Sequence, residues 1–497
     1  MSQSSLTMKD WAIPDDGRVT LLHIGGLGDL ILMSEFVTRV KTSFPRVHLC
    51  LICRAEFSPV VELFPVVPDE TLALPFNPYH WDRASPDLLR ELAAIATSLG
   101  SRTTDLLLDG SLSAVWFAWF VAAVLPHRHA ACSAAGGPSG LILDDVLDHF
   151  GLACPEIERI ETAPDVHERQ RYRSLADRLC GPDTACGRWT LPASARSLAR
   201  DWLERRGLRE GQYVACLAGV SGLADLRGWR EANFVTVLDR LARERNLPAV
   251  LIGSAAEQFG LERLARAISG PVAMFAGGIG DIALAAGLLA LSRAYLGNDS
   301  GPAHLAQAYG VAGVVIFGGG GRPANYACWG AGSIGVLHPL PCFGCAWDCI
   351  FDHSLCVDSV SASAVAAAMD RVLDARPDRP ETVALATVDG RLQDLLEQAN
   401  RHYRKVQSDR DRRLAVIAEM KARIVTLERA AAERLETIQS IHAEAAARLA
   451  LLESVHAEAE RRGRVIAQLT DRLASAQSDA HSSGAAPTTD GASADPA

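Results

Sequence analysis

The stretch LGNDSGPAHLAQAYG, Leu296 to Gly310, sets a carboxylate beside three helix-start signals. Ser300 suits the N-cap, Pro302 suits the first turn, and Leu305, Ala306 and Tyr309 give an apolar face, so a helix opens near Ser300 straight after a short buried strand, Ala294 to Leu296. The N–H groups of Ser300, Gly301 and Ala303 should then point into the crevice at the strand ends. Unpaired donors at a helix start carry partial positive charge, which makes this a seat for phosphate or another anion. Asp299 has two readings, a ligand-facing carboxylate or a plain cap for the helix. A second constellation is Cys342, Cys345, Cys349 and Cys356 in CFGCAWDCIFDHSLC. Its spacing, C-x2-C-x3-C-x6-C, is compact enough to wrap one tetrahedral zinc or iron ion in four thiolates, and reduced cysteines packed in a core are the other reading.

The elements that must position these groups alternate strand and helix. Val19 to Ile24 is a short apolar strand, Gly25, Gly26 and Gly28 allow a tight turn, Leu30 to Lys41 continues as an amphipathic helix, and Val47 to Cys53 supplies the next strand. This is a βαβ opening, and a parallel sheet follows. The GGLGD loop matches neither GxGxxG nor a P-loop. Asp105 to Asp109 reads as a further strand. A looser stretch, Pro155 to Ser197, is the candidate interdomain region. A second series then runs from the strand Tyr213 to Leu217 through the helix Asn233 to Arg245, the strand Ala249 to Ile252, and the helices Phe259 to Ala267 and Ile282 to Leu291. It closes on the strand Val314 to Phe317 and a mobile-looking GGGGR, Gly318 to Arg322. Two doubly wound α/β domains facing a cleft are the economical architecture. The boundaries expected are 1–17 for an N-terminal tail, 18–190 and 191–375 for the two domains, 376–390 for a linker, 391–476 for a coiled coil and 477–497 for a disordered tail.

Within 391–476 there is no Pro and one Gly, Gly463. Ile417, Ile424, Ala431, Ile438, Ala445, Leu452, Ala459, Ile466 and Leu473 recur every seven residues. Met420, Leu427, Ile441, Val455 and Leu469 fill the companion position, which Arg434, Arg448 and Arg462 interrupt every fourteen. The expectation is a coiled coil that makes the chain a homo-oligomer, with a solvated single helix as the alternative.

At 497 residues and 48% hydrophobic content the chain can bury large cores. A net charge of −10 and a sequence pI near 5.8 argue against a nucleic-acid binder held by a broad basic face. The first residues lack a basic region followed by an apolar run, so the expectation is a cytoplasmic protein. The apolar run Leu112 to Leu125 is too short to span a bilayer, which needs about 20 residues, and reads as a buried helix or as an interfacial anchor to the inner face of the membrane. Twelve cysteines in such a chain predict reduced thiols.

Four motifs, GGLGDLILMSEFVTRVKTSFP from Gly25, LRGWREANFVTVLDRLA from Leu226, VLIGSAAE from Val250 and LGNDSGPAHLAQAYG from Leu296, resemble in order and spacing glycosyltransferase family 9, the ADP-heptose:lipopolysaccharide heptosyltransferases and their relatives. The resemblance covers about Arg18 to Leu373 and leaves the coiled coil outside. It implies the GT-B fold, with the acceptor on the N-terminal domain, the nucleotide-sugar on the C-terminal domain and inverting, metal-independent transfer in the cleft. Asp29 stands where the family carries its proposed base, with helix capping as the other reading. Arg227 stands where many relatives have a phosphate-holding Lys. Glu257 matches an acidic residue near the ribose, Asp299 the residue that holds sugar hydroxyls, and Ser300, Gly301 and Pro302 the diphosphate cradle, to which His304 adds a donor. Trp229 looks like the family's structural tryptophan. The family often carries a Cys-rich segment near Cys342, and some protein-directed relatives hold iron there, so a structural zinc or iron is implied and no catalytic cofactor. The implied partners are an ADP-heptose-type donor and a lipopolysaccharide or other glycan acceptor. A protein-directed transferase using another nucleotide-sugar and a non-catalytic coiled-coil scaffold stay open as alternatives.

Overall fold

A computed structural model of the chain describes residues 11, 13–78, 86–111, 115–133, 140–160, 166–181, 188–219, 224–321, 323–340, 342–345, 349, 353–385 and 390–482. The chain divides into two compact units, Met1–Asp409 and Arg410–Ala497.

The first unit holds two parallel sheets. Strands β1 (Arg18–His23), β2 (His48–Arg54), β3 (Glu70–Leu74), β4 (Thr104–Asp109), β5 (His127–Cys132) and β6 (Glu158–Arg159) lie in the order β3-β2-β1-β4-β5-β6. Helices α1 (Leu27–Ser43), α2 (Pro86–Gly100), α3 (Val115–Val124), α4 (Gly140–Phe150) and α5 (Glu168–Cys180) belong to this part of the chain. Strands β7 (Val214–Leu217), β8 (Ala249–Ser254), β9 (Val272–Gly277), β10 (Ala294–Asn298), β11 (Gly313–Phe317), β12 (Ile334–Leu337) and β13 (Glu381–Ala384) form the second sheet, ordered β13-β12-β11-β10-β7-β8-β9. With it come α6 (Ala193–Glu204), α7 (Ala224–Arg227), α8 (Glu231–Arg245), α9 (Gln258–Ala267), α10 (Ile282–Ala290), α11 (Gly301–Ala308), α12 (Pro323–Tyr326), α13 (Leu355–Asp358) and α14 (Ala362–Asp374). Central strands such as β7, β10 and β11 are buried along their whole length, as a parallel sheet covered on both faces requires.

Strand order reverses between β1 and β4 in one sheet and between β7 and β10 in the other, and a crevice opens beyond the strand ends at such points. One apolar cluster runs from Val19, Phe36 and Tyr172 through Ala303 and Leu305 to Leu288 and Tyr213, so the two sheets share a continuous core.

Several elements depart from the sequence expectations. The stretch from Pro155 to Ser197 contains α5, whose Tyr172, Leu175, Ala176 and Leu179 form a buried stripe, and the start of α6. Residues 376–390, expected as a linker, contain β13, which pairs in parallel with β12, and Arg371 forms an ion pair with Glu381. The aromatic helix α3 buries Trp116, Phe117, Trp119 and Phe120 in the core, which removes them from any interfacial anchor. Residues 112–114 of that run, and Arg322 of GGGGR, lie outside the described residues. Gly319 is held rather than loose: its carbonyl accepts from Gly344 N–H at 2.7 Å and its N–H donates to Cys356 Sγ at 3.3 Å. No described helix is long and apolar enough to cross a membrane.

Helix α15 (Gly390–Ser482) runs 93 residues without a break and supplies the second unit from Arg410 on. It continues through 477–482, the start of the expected disordered tail, because neither Gly nor Pro occurs between Gly463 and Gly484. Residues 483–497 lie outside the described residues.

Candidate functional site

Both reversal points carry a glycine turn and a helix start, and the two helix starts touch. A methyl group added at Gly28 would come within 2.7 Å of His304 Cδ2, and one added at Gly301 within 2.7 Å of Leu27 Cβ. The first turn of α1 therefore lies directly against the first turn of α11, and only glycines allow this approach. On the first sheet, Ile24 N–H donates to Ser111 Oγ at 3.1 Å and Ser111 N–H to Asp109 Oδ1 at 2.9 Å, which pins the β1 and β4 ends together.

Asp29 lies in the first turn of α1, half-buried, and its Oδ2 accepts from Gly26 N–H at 3.0 Å. It caps the helix and faces the crevice at once. Burial raises its carboxyl above the usual range, against the pull of the Gly26 N–H and the charges of Arg171 and Arg227. Asp299 follows β10, half-buried, and burial pushes it up to about 7, with Arg227 opposing and Asp29 reinforcing the shift. These mutual effects place Asp29, Asp299 and Arg227 in one electrostatic cluster, although they come from opposite sheets.

Ser300 occupies the N-cap of α11 with extended backbone, but its hydroxyl caps nothing: Oγ is buried and has no hydrogen-bond partner among the described residues. The expectation that Ser300, Gly301 and Ala303 all offer N–H groups holds only in part, because Ala303 N–H already donates to Ser300 O at 3.0 Å. Pro302 has no N–H and fits the first turn. His304 is buried, and its Nδ1 accepts from Trp329 Nε1 at 3.1 Å. The imidazole proton is thereby assigned to Nε2, on the side of Gly28. Burial lowers the ring to about 4, so it is a neutral donor.

Arg227 ends α7 and is held near the crevice by its neighbours. Trp229 N–H donates to Asn298 Oδ1 at 3.0 Å, Asn298 Nδ2 donates to Ala218 O at 2.7 Å, and Trp229 Nε1 donates to Val360 O at 2.8 Å while its ring packs on Phe234. Trp229 is a core residue that locks the loop. Glu257 accepts at Oε2 from Ser254 N–H and Oγ, both at 2.8 Å, and its other oxygen lies over Gly219, so it sits at the ends of β7 and β8.

Sequence reasoning missed three members of the cluster. Glu168 and Arg171 open α5, both buried, with Arg171 Nε 3.2 Å from Glu168 Oε2. Burial, opposed by Arg171 and reinforced by Asp29, pushes Glu168 up to about 7. Tyr326, at the end of α12, has its hydroxyl driven upward by burial and by Asp29, Glu168 and Asp299. The signal for α5 was present in HERQRYRSLADRL, where apolar residues recur at helical spacing and Glu and Arg fall on one face. The opening of α5 also reaches the second sheet: His167 Nε2 lies 2.8 Å from Ala327 O, and Asn325 Nδ2 donates to Val166 O at 2.8 Å.

Cys342, Cys345, Cys349 and Cys356 line one small recess with Gly319 and Leu340. Burial and the neighbouring sulfurs raise the Cys342 and Cys356 thiols, the latter to about 11. Among the described residues no group of three or more His, Cys, Asp or Glu is close enough, in this conformation, to hold a metal ion. The described cysteines are all reduced.

Residues 152–346 match the model of glycosyltransferase family 9 (heptosyltransferase). No curated protein matches the chain. Among solved structures, the glycosyl transferase family 9 protein from Veillonella parvula DSM 2008 is similar at 16% identity and a TM-score of 0.57, over 72% of this chain and 98% of that one. The E. coli heptosyltransferase WaaC with ADP follows at 16% and 0.53, over 71% and 99%, and the E. coli ADP-heptose lps heptosyltransferase II at 14% and 0.52, over 72% and 98%. These likenesses show the fold, GT-B, in the two-sheet part of the chain. The chain thus has the GT-B fold, its residues 152–346 match the model of glycosyltransferase family 9 (heptosyltransferase), and a long C-terminal helix follows.

Proposed function

We propose that this chain is an inverting glycosyltransferase that moves a heptose from an ADP-activated donor to a lipopolysaccharide-type or other glycan acceptor, with no metal in the reaction. The observation that supports the reading is the abutment of the two helix starts, Leu27 against Gly301 and Gly28 against His304, with Asp29 in the first turn of α1 and Ser300 at the N-cap of α11. In the transfer, an acceptor hydroxyl attacks the anomeric carbon and forms the new C–O bond while its proton passes to Asp29. The bond from that carbon to the diphosphate breaks, and its electron pair leaves with the nucleotide. Arg227, the N–H groups of Ser300 and Gly301, Ser300 Oγ and His304 Nε2–H meet the charge that develops on the departing phosphate. Asp299 holds sugar hydroxyls, and Glu257 accepts from the ribose.

The four cysteines form a structural site for zinc or iron on this reading. The four thiols line one recess and would have to draw together to ligate a thiolate-loving ion, and the Gly319 N–H on Cys356 Sγ is the kind of donor that stabilises a ligating sulfur. On this reading such an ion would brace the loop and take no part in the reaction, so chelation should leave transfer intact. Elemental analysis of protein purified without added metal should find about one ion per chain, and neither zinc nor iron above trace would leave these residues as packing.

Thermal-shift titration with ADP-heptose, UDP-sugars and GDP-sugars, followed by transfer to a heptose-deficient lipopolysaccharide core, tests the main reading. Stabilisation by the ADP-sugar with turnover is expected. A shift with only UDP- or GDP-sugars, or no donor response at all, would overturn it.

A further inference from the structure

We infer that residues 411–482 of α15 pair with the same segment of a second copy of this chain in an antiparallel seam that sets residue 448 against residue 445. The starting observation is an uncovered stripe: Ile417, Met420, Ile424, Leu427, Ile438 and Ile441 are 45 to 61% exposed, and Leu452, Val455, Ile466, Leu469 and Leu473 are 56 to 66% exposed. A stripe repeated every seven residues demands another helix.

The arginines and alanines of the stripe decide which helix and which way it runs. In a parallel in-register pair every residue faces its own copy, so Arg434, Arg448 and Arg462 make three like-charge layers and Ala431, Ala445 and Ala459 three under-filled ones. An antiparallel pair instead sets each position of the first series against one of the companion series. One register places Arg434 opposite Ala459, Arg448 opposite Ala445 and Arg462 opposite Ala431, each pair of numbers adding to 893. In that same register Ile441 meets Leu452, Ile438 meets Val455, Leu427 meets Ile466, Ile424 meets Leu469 and Met420 meets Leu473. Every long charged side chain faces the smallest one, and every other layer from 420 to 473 joins two bulky apolar groups. A slip of fourteen residues either way sets an arginine against Ile417 or Leu473.

Charge supports the same register. An arginine stem can lie over an alanine methyl while its head reaches the edge of the seam, and there Glu444 and Glu458 immediately precede Ala445 and Ala459. Within one chain these carboxylates already hold Arg448 at 2.7 Å and Arg462 at 2.9 Å. Arg434 has Ala430 four residues before it, and Glu458 of the partner subunit supplies the carboxylate it lacks there. The overlap is also complete: Ser482, the end of α15, maps onto Asp411, beside the start of the second unit at Arg410. A seam of 72 residues (482 − 411 + 1) is about 110 Å long at about 1.5 Å per residue.

The test uses the full chain. Light scattering should give twice the chain mass, and a photo-reactive benzoylphenylalanine in place of Ile466 should cross-link to the peptide around Leu427, and one in place of Met420 to that around Leu473. Cross-links joining each position to its own segment would mean a parallel pair, and a monomeric mass would mean no pair; either overturns the inference. Ala445→Arg should raise the dimer dissociation constant by about tenfold or more, with Ala450→Arg on the outer face unchanged. An unchanged constant for Ala445→Arg also overturns it.

Discussion

At the scale of single residues, the cluster is defined by carboxyls that burial raises above their ordinary range. Asp29→Asn removes the proposed base but keeps a side-chain oxygen that can accept from Gly26 N–H, so the helix cap survives. Turnover should fall by about 10³, with donor affinity nearly unchanged. Calorimetric titration beside initial-rate measurement checks this, and an equal loss of affinity would remove Asp29 from the base role. Transfer should also fail as pH drops through the raised carboxyl of Asp29, because a base must be ionised. Stability has its own pH dependence. His23 and His304 are held neutral in the fold, lowered to about 3 and about 4 chiefly by burial. Groups with depressed folded values contribute stability that is present above the ordinary histidine value of about 6.5 and is lost as pH falls toward those folded values. Denaturant melts at pH 6.5 and 4.5 should therefore show a smaller loss for His304→Gln, which can still accept from Trp329, than for the wild-type chain. The motif residues Asp29, Arg227, Glu257, Asp299 and Ser300 were legible because each sits in a local pattern of turn and helix start. Glu168, Arg171 and Tyr326 were not, because they meet Asp29 only through packing between segments more than a hundred residues apart, which no local pattern encodes.

At the scale of elements, α1 and α5 carry the first half of the site, and charge joins them as well as apolar contact. Glu35 on α1 is buried and takes Arg169 Nε at 2.8 Å and Arg173 Nε at 2.5 Å, while Arg39 binds Asp177 at 2.6 Å and the carbonyl of Gly181 at 2.7 Å. Glu35→Ala leaves two cations facing an apolar helix face. Both arginines are partly solvated, so the expected loss is about 1–3 kcal/mol rather than that of a fully buried pair, measured by chemical denaturation. Glu35→Gln, which keeps an acceptor, should lose less. Strong periodicity made β1, α1, β10 and α15 readable. Strands such as β5, with three polar residues in HRHAAC, and the edge strand β13, with ETVA, were not, since short strands of mixed polarity draw their stability from neighbouring backbone and little from their own pattern.

At the scale of the whole molecule, the place where the part proposed to transfer sugar ends can be tested. Because β13 pairs with β12 and Arg376 donates to Gly310 O at 2.8 Å, a chain cut after Arg376 loses an edge strand and exposes β12. A chain ending at Asp409 keeps the whole first unit. The chain ending at Asp409 should transfer sugar at about the full-length rate, and the one cut after Arg376 should melt at lower temperature or aggregate; an inactive chain ending at Asp409 would give the helix a part in transfer. The contact between the α1 and α11 starts has a further consequence. With Leu27 against Gly301 and Gly28 against His304, a diphosphate seated at that helix start, as proposed, must part the two, which predicts an equilibrium between shut and parted forms in the ligand-free chain. Apparent donor affinity is then the intrinsic affinity scaled down by the parted fraction. Gly28→Ala, which pushes a methyl to within 2.7 Å of His304 Cδ2, should favour the parted form and so bind nucleotide more tightly while turning over more slowly, because the same wedge keeps Asp29 away from the bound sugar.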